Sequence, residues 1–498
     1  MLRLFRNRSL RHAGTRTFYL AALYGPIRGF RFGERLFGSR IEIFILAFIV
    51  LSSCNKSTSP SPKEEHVIAP SIQLIDIADD KSDQSNYDDS EPSIAVNPKN
   101  PKEIAVVAFS GSWGEDIQAP IWKSRDGGAS WKKILQIPQP ASGLWGPGDQ
   151  KIAFDADGRI YVTELGESRT NNDVAEDFLF RQTAGPDDPL TPSKQYGDDQ
   201  PHLSADIYSS GCRNALYSSW LKTQSAQTLD RSMDSATGDG GKHLLDTGVG
   251  DNKQFPNRTS RIAVARDGKA FMVYKVREGQ VNSTFETVHF MVKRTDDCGK
   301  SWNGLGGSSG VSILGTNTAV TFFTDSFGNH AKGKVACARS SDDWIATSSQ
   351  PGEVYIAYVN RDNSGFAQIY IARSVNLGNS WTSIRATDGT HNSAYPEIAI
   401  TDAGVVGLMY IDYDDAGART VFRHMFALSL DRGSTWNKSI ILQDIDPSGI
   451  SNASDGILWG DYEGLTSLGN TFYGIFTGQS INRAQVQLDP IFFKLQMP

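Results

Sequence analysis

The chain has 498 residues, with 49 Lys+Arg against 56 Asp+Glu and a net charge of −7. Residues 1–53 hold nine Arg, no Lys and two acids, so the remaining 445 residues carry 40 basic against 54 acidic groups, or −14. A body this acidic lacks the positive field that phosphate binding needs, which argues against a nucleic-acid partner, and 51 Trp, Tyr and Phe exclude general disorder.

At the N-terminal end, Ile41–Leu51 reads IEIFILAFIVL. Eleven residues are too few for a spanning helix, which needs roughly 20, but they suit the core of a signal peptide with Arg40 as its positive flank. The run ends in Leu51-Ser52-Ser53-Cys54, which resembles a bacterial lipobox. That resemblance implies cleavage before Cys54, a lipid on its thiol, and a place in the bacterial cell envelope, periplasmic or at the cell surface, with the anchor as the only membrane contact. The expected divisions are a leader over 1–53, a flexible tether over 54–70 (its NKSTSPSPKEE stretch is Ser-, Pro- and Lys-rich) and a folded body over 71–498. Residues 1–35 are Arg-rich and Lys-free, which suggests a translation start nearer residue 36.

Along the body a short segment recurs: PSIAV (92–96), QKIAF (150–154), PHLSA (201–205), SRIAV (260–264), DWIAT (343–347), PEIAI (396–400) and YEGLT (462–466). Most copies are followed by a turn such as NPKNP, DADG, RDG or DAG and a second β-rich run, as in Ile104–Phe109, Ala270–Tyr274 and Val354–Tyr358. A third run follows in several units, and no long helical period is present. Units of about 50–60 residues with three or four short strands predict an all-β propeller, because one blade cannot bury both its faces. Seven units are counted, or six if 146–195 is an insertion. The last unit lacks an outer strand, and Ser71–Ile77 is expected to fill that place and join the ends. Cys212, Cys298 and Cys337 allow one disulfide and one thiol in an exported chain. Eight scattered His and no HExxH leave no zinc signature. The acidic run Asp76–Glu91 could bind Ca²⁺, although it lacks ordered ligand spacing; no other cofactor is expected.

Four third runs end in one motif, SRDGGASW (124–131), TDDCGKSW (295–302), SVNLGNSW (374–381) and SLDRGSTW (429–436). Asp126, Asp297, Asn376 and Asp431 can accept backbone N–H groups within the turn. The glycines can take positive φ, and Trp131, Trp302, Trp381 and Trp436 can bury large apolar area. The pattern resembles the Asp box, or bacterial neuraminidase repeat, of sialidase-like propellers. In that superfamily the box lies between third and fourth strands, away from the active face, so the resemblance implies fold and leaves chemistry to other residues.

The same resemblance places a site around the central axis, where the innermost strands begin. Sialidases need a Tyr nucleophile paired with Glu, an Asp acid/base and three Arg for the substrate carboxylate. Tyr462, in WGDYEGL, resembles the nucleophile position; Glu463 and Asp89 are the companion carboxyl candidates. Arg261, Arg277, Arg361 and Arg419 are the candidate cations, with Tyr395, Asp198, His202 and Asp461 as further substrate contacts. The first unit departs from the family: DDSEPSIAV carries acid where sialidases carry the first Arg. The expected partner is a glycan or glycoconjugate, bound or hydrolysed by an exo-glycosidase of sialidase type. The alternative is a non-catalytic module that binds glycan or a surface protein.

Overall fold

In the computed structural model, the described residues are 72–78, 89–110, 119–139, 144–168, 175–182, 185, 187–195, 199–222, 226–232, 241–244, 258–280, 285–307, 310–313, 318–322, 344–414, 421–437, 439–445, 462–481 and 488–498. The acidic stretch 79–88, Cys54 and Cys337 lie outside them. All regular elements among them are strands, and none of their helical turns is long and apolar enough to cross a membrane.

The strands pair antiparallel into small sheets, making the protein a β-propeller of four-stranded blades. Seven sheets form among the described residues, and their inner strands are Ser90–Val96, Leu144–Phe154, Asp199–Ala205, Arg258–Val264, Trp344–Thr347, Asn392–Ile400 and Gly464–Leu468. Each inner strand lies against the next, and the seventh lies against the first. Residues 144–195, which show little strand patterning in sequence, supply four strands of one sheet. The fourth sheet carries an additional strand, Thr318–Phe322, paired with Phe285–Thr295.

The ring is closed by a strand from each end of the body. Leu74–Asp76 pairs with Leu488–Gln496 through Leu74↔Phe493, Ile75↔Phe492 and Asp76↔Ile491. The sequence points to this segment because the last unit is one strand short. Buried apolar side chains form clusters between adjacent sheets. One joins Ile94, Val106 and Trp122 of the first sheet to Ile475 and Phe492 of the seventh. Another joins Ile262, Met272 and Tyr274 of the fourth to Tyr217 of the third. The core is therefore a set of layers around the axis, so closing the ring covers faces that a single sheet would leave wet.

The four repeated turns share a hydrogen-bond set. Ser124 Oγ donates to Asp126 Oδ1 (2.8 Å) and accepts from Gly128 N (2.8 Å), while Asp126 accepts from Ser130 N (2.9 Å) and Ser130 Oγ (2.6 Å). Asp297 and Asp431 repeat this with Ser301 and Thr435. At Asn376 one bond reverses: its amide donates to Ser380 Oγ (2.8 Å), because an amide nitrogen cannot accept. The Trp of each turn packs onto an apolar cluster; Trp131 meets Phe492 edge-on at 5.0 Å and Trp302 meets Tyr217 at 6.0 Å. These turns lie at the end where the inner strands finish: Gly127 N donates to Lys102 O and Leu377 N to Gly352 O, both in turns that follow inner strands. A Cys212–Cys298 disulfide ties the third sheet's first turn to the fourth sheet's repeated turn.

Candidate active site at the axial mouth

The opposite ends of the inner strands carry a second repeated feature. Four residues within the inner strands, ahead of their recurring aliphatic residues, have positive φ without being glycine: Glu91 (53°), Asp149 (51°), Gln200 (48°) and Tyr395 (54°). Each falls within a register shift against the second strand. Each therefore sits in a bulge, and two residues later comes Ser93, Lys151, His202 or Glu397. Positive φ costs a side-chain-bearing residue about 1–2 kcal/mol, so repeating it four times around one axis marks a rim whose side chains are aimed by the bulge.

The innermost edge of each sheet has no further strand to satisfy its N–H groups, and side chains from the preceding strand do so in part. Ser93 Oγ accepts from Ile152 N (3.3 Å), and His202 Nδ1 accepts from Ile262 N (3.3 Å). Lower on the same strands, Thr347 Oγ1 donates to Val264 O (2.9 Å) and Ser467 Oγ to Ile400 O (2.7 Å). Between them runs an axial cavity of about 250 Å³. It is lined at one end by Ser93, Lys151 and His202, and at the other by Tyr208, Arg266 and Asp402.

Tyr462 lies at the first end, 2% exposed. Its hydroxyl donates to Asp149 Oδ1 at 3.5 Å. Lys151 Nζ stands 3.0 Å from the centre of its ring, and Arg261 Cζ stands 5.5 Å from it. Lys151 and Arg261 are themselves 3% and 1% exposed. Beside them, Glu463 Oε2 accepts from Thr477 N (2.8 Å) and Glu397 Oε1 from Glu463 N (3.3 Å). Burial pushes the Glu463 carboxyl well above its ordinary range; Glu397 adds to this, while the Thr477 N–H and Lys151 oppose it. Burial holds His202 well below the ordinary histidine value, reinforced by the charges of Arg261 and Lys151. Burial thus favours the protonated form of Glu463 and the neutral form of His202, beside one phenol and the Lys151 and Arg261 side chains.

Of the residues singled out in the sequence, Tyr462, Glu463, Arg261 and His202 are buried at this mouth. Tyr395 is buried at the rim of the sixth inner strand. Asp89 is fully buried against the closing sheet, its N–H donating to Leu488 O (2.8 Å); the carboxylate on the Tyr462 hydroxyl is Asp149. Arg361 ends the fifth sheet's second strand with an exposed side chain, and is not among the residues buried around Tyr462. Arg277 lies in the strand Ala270–Gln280, its side chain outside the described set, and Asp198, Arg419 and Asp461 lie outside the described residues. The sequence reading passed over Lys151, Glu397 and Gln200. The signal was available, since Lys151 and Glu397 occupy the position before the recurring aliphatic residue, as His202 and Arg261 do. No group of three or more His, Cys, Asp or Glu able to hold a metal is present among the described residues.

No family model matches the chain, and no curated protein matches it. Among solved structures it is similar to a protein of unknown function from Dyadobacter fermentans (12% identity, 86% of this chain and 100% of that one, TM-score 0.43). It is also similar to the endosialidase of phage phi92 (11%, 86% and 69%, TM-score 0.42). A third is the α-L-arabinofuranosidase Arb93A of Fusarium graminearum (11%, 71% and 93%, TM-score 0.38).

Proposed function

We propose that this protein is a sialidase-like propeller, each of its seven sheets a blade, that hydrolyses a terminal sugar of a glycan at the axial mouth. The observation that carries this reading is Tyr462, whose hydroxyl faces the Asp149 carboxylate while two cations lie against its ring. A phenol that attacks an anomeric carbon must give up its proton; Asp149 is the acceptor, and Lys151 and Arg261 favour the resulting negative charge. Glu463, whose carboxyl burial pushes towards the protonated form, is the group able to supply a proton to a leaving oxygen. Cys54 carries the lipid that holds the protein in the bacterial cell envelope, with 54–70 as tether.

The test is turnover of a panel of fluorogenic glycosides, a sialoside among them, by the wild type and Tyr462→Phe. Turnover by the wild type and a loss of about a hundredfold or more in the variant, at an unchanged melting temperature, supports the mechanism. Equal turnover by both removes Tyr462 from it. The near-complete burial of Tyr462 favours a second reading, a non-catalytic propeller that binds a glycan or a surface protein. Binding on a glycan array without turnover of any glycoside would select it. Fatty-acid labelling of the wild type, absent in Cys54→Ser, tests the anchor.

A further inference from the structure

Lys151 has no role in the residue assignments above that derive from the sequence. It occupies the position at which Ser93 and His202 accept an N–H from the neighbouring inner strand. A lysine ammonium has three donors and no acceptor, so that structural task is closed to it. Burying an ammonium also costs several kcal/mol, and an apolar side chain would fill the axis at lower cost. A lysine is nevertheless placed here, 3% exposed. It reaches from the second sheet past the first to the face of Tyr462 in front of the seventh, with Arg261 of the fourth also against that ring.

Resting on the reading of Tyr462 as the reacting group, we propose that Lys151 is a positioning residue of this site. Its ammonium fixes the Tyr462 ring over the axis and keeps the hydroxyl directed at Asp149. A desolvated cation–ring contact is worth about 2 kcal/mol, or about 30-fold in rate if it is needed in the transition state.

The experiment compares Lys151→Met and Lys151→Gln, which remove the charge, with Lys151→Arg, which keeps it. Two readouts are taken on the full-length protein. The first is the ¹⁹F resonance of Tyr462 in 3-fluorotyrosine-labelled protein, assigned by its disappearance in Tyr462→Phe. It is expected to move in the Met and Gln variants and to return towards its wild-type position in Lys151→Arg. The second is turnover of the best glycoside, where kcat is expected to fall about 30-fold at unchanged KM without the charge and to recover in Lys151→Arg. An unmoved resonance in whichever charge-removing variant folds overturns the proposal. So does a variant with lowered melting temperature and wild-type kcat, which leaves Lys151 a purely structural role. If the wild type turns over no glycoside yet the resonance responds as stated, the hydrolase reading fails and the positioning of Tyr462 by Lys151 stands.

Discussion

Gly128 couples a repeated turn to the closure of the ring, and replacing it tests that coupling. Its φ is +98°, and a Cβ built there falls 2.3 Å from Phe492 Cε1 and 2.6 Å from Cζ. Phe492 cannot yield freely, because it is fully buried in the closing sheet and meets Trp131 edge-on at 5.0 Å. The neighbouring Gly127 has a similar φ of +82°, but its Cβ would meet nothing nearer than Lys494 Nζ at 3.4 Å. Ala at either position loses about 1–2 kcal/mol to the backbone. Only Gly128→Ala adds overpacking, typically about 1–3 kcal/mol. Gly128→Ala is therefore expected to lower the unfolding free energy by about 2 kcal/mol more than Gly127→Ala in urea titrations followed by tryptophan fluorescence. Equal losses would refute the claim that this turn is clamped on Phe492.

Three further outcomes follow from the same structure. Cys212 and Cys298 close an 86-residue separation, so Cys212→Ser with Cys298→Ser should cost about 2–5 kcal/mol in the melting profile, and reductant should have no further effect on the double variant. Hydrogen bonds from Ser130 and Thr435 hold Asp126 and Asp431 down to about 2; at Asp297 burial opposes, but Ser301 and Thr295 outweigh it, again to about 2. These folded values lie below the unfolded one, so the stability they add is present above pH 4 and is lost as pH falls towards 2. Each is worth on the order of 0.5–1 kcal/mol after solvent screening; Asn at all three positions should flatten the acid limb of an unfolding series between pH 5 and 2, and an unchanged limb would contradict it. Glu463 has the opposite sign. Its folded value is raised, so its favourable contribution is present below the unfolded value and fades as pH rises; Glu463→Gln should match the wild type at pH 4 and equal or exceed its stability at pH 7.

How far the sequence carries can be seen at particular residues. The recurring aliphatic segment and the turn pattern ending in Trp located inner strands and repeated turns, because both are local: a strand end, a turn and a Trp lie within eight residues of each other. The missing outer strand of the last unit pointed to Ser71–Ile77, within which Leu74–Asp76 forms the strand, since an unpaired edge needs a partner. Tyr462, Arg261 and His202 stand out by position ahead of the recurring aliphatic residues Leu465, Ile262 and Leu203. Lys151 and Glu397 occupy the equivalent position before Ile152 and Ile398, but their residue types are not those a sialidase-type site calls for there, so residue type alone does not mark them. Arg361 met that chemical description, and its exposure at the end of a second strand is a property of the fold that its residue type does not carry.

The sequence by itself determined a repeating β architecture, its hydrogen-bonded turns, the strand that closes it and the acidity of the body, all set by short-range pattern and composition. Tertiary structure alone decided that Lys151 and Arg261 share one tyrosine, that Asp149 is the carboxylate on its hydroxyl, and that Glu463 is buried beside Glu397. The residues that touch are far apart in the chain, 66 positions for Glu397 and Glu463 and 313 for Asp149 and Tyr462. They meet only because the inner strands converge on one axis, and that convergence imposes the burial that raises the Glu463 carboxyl.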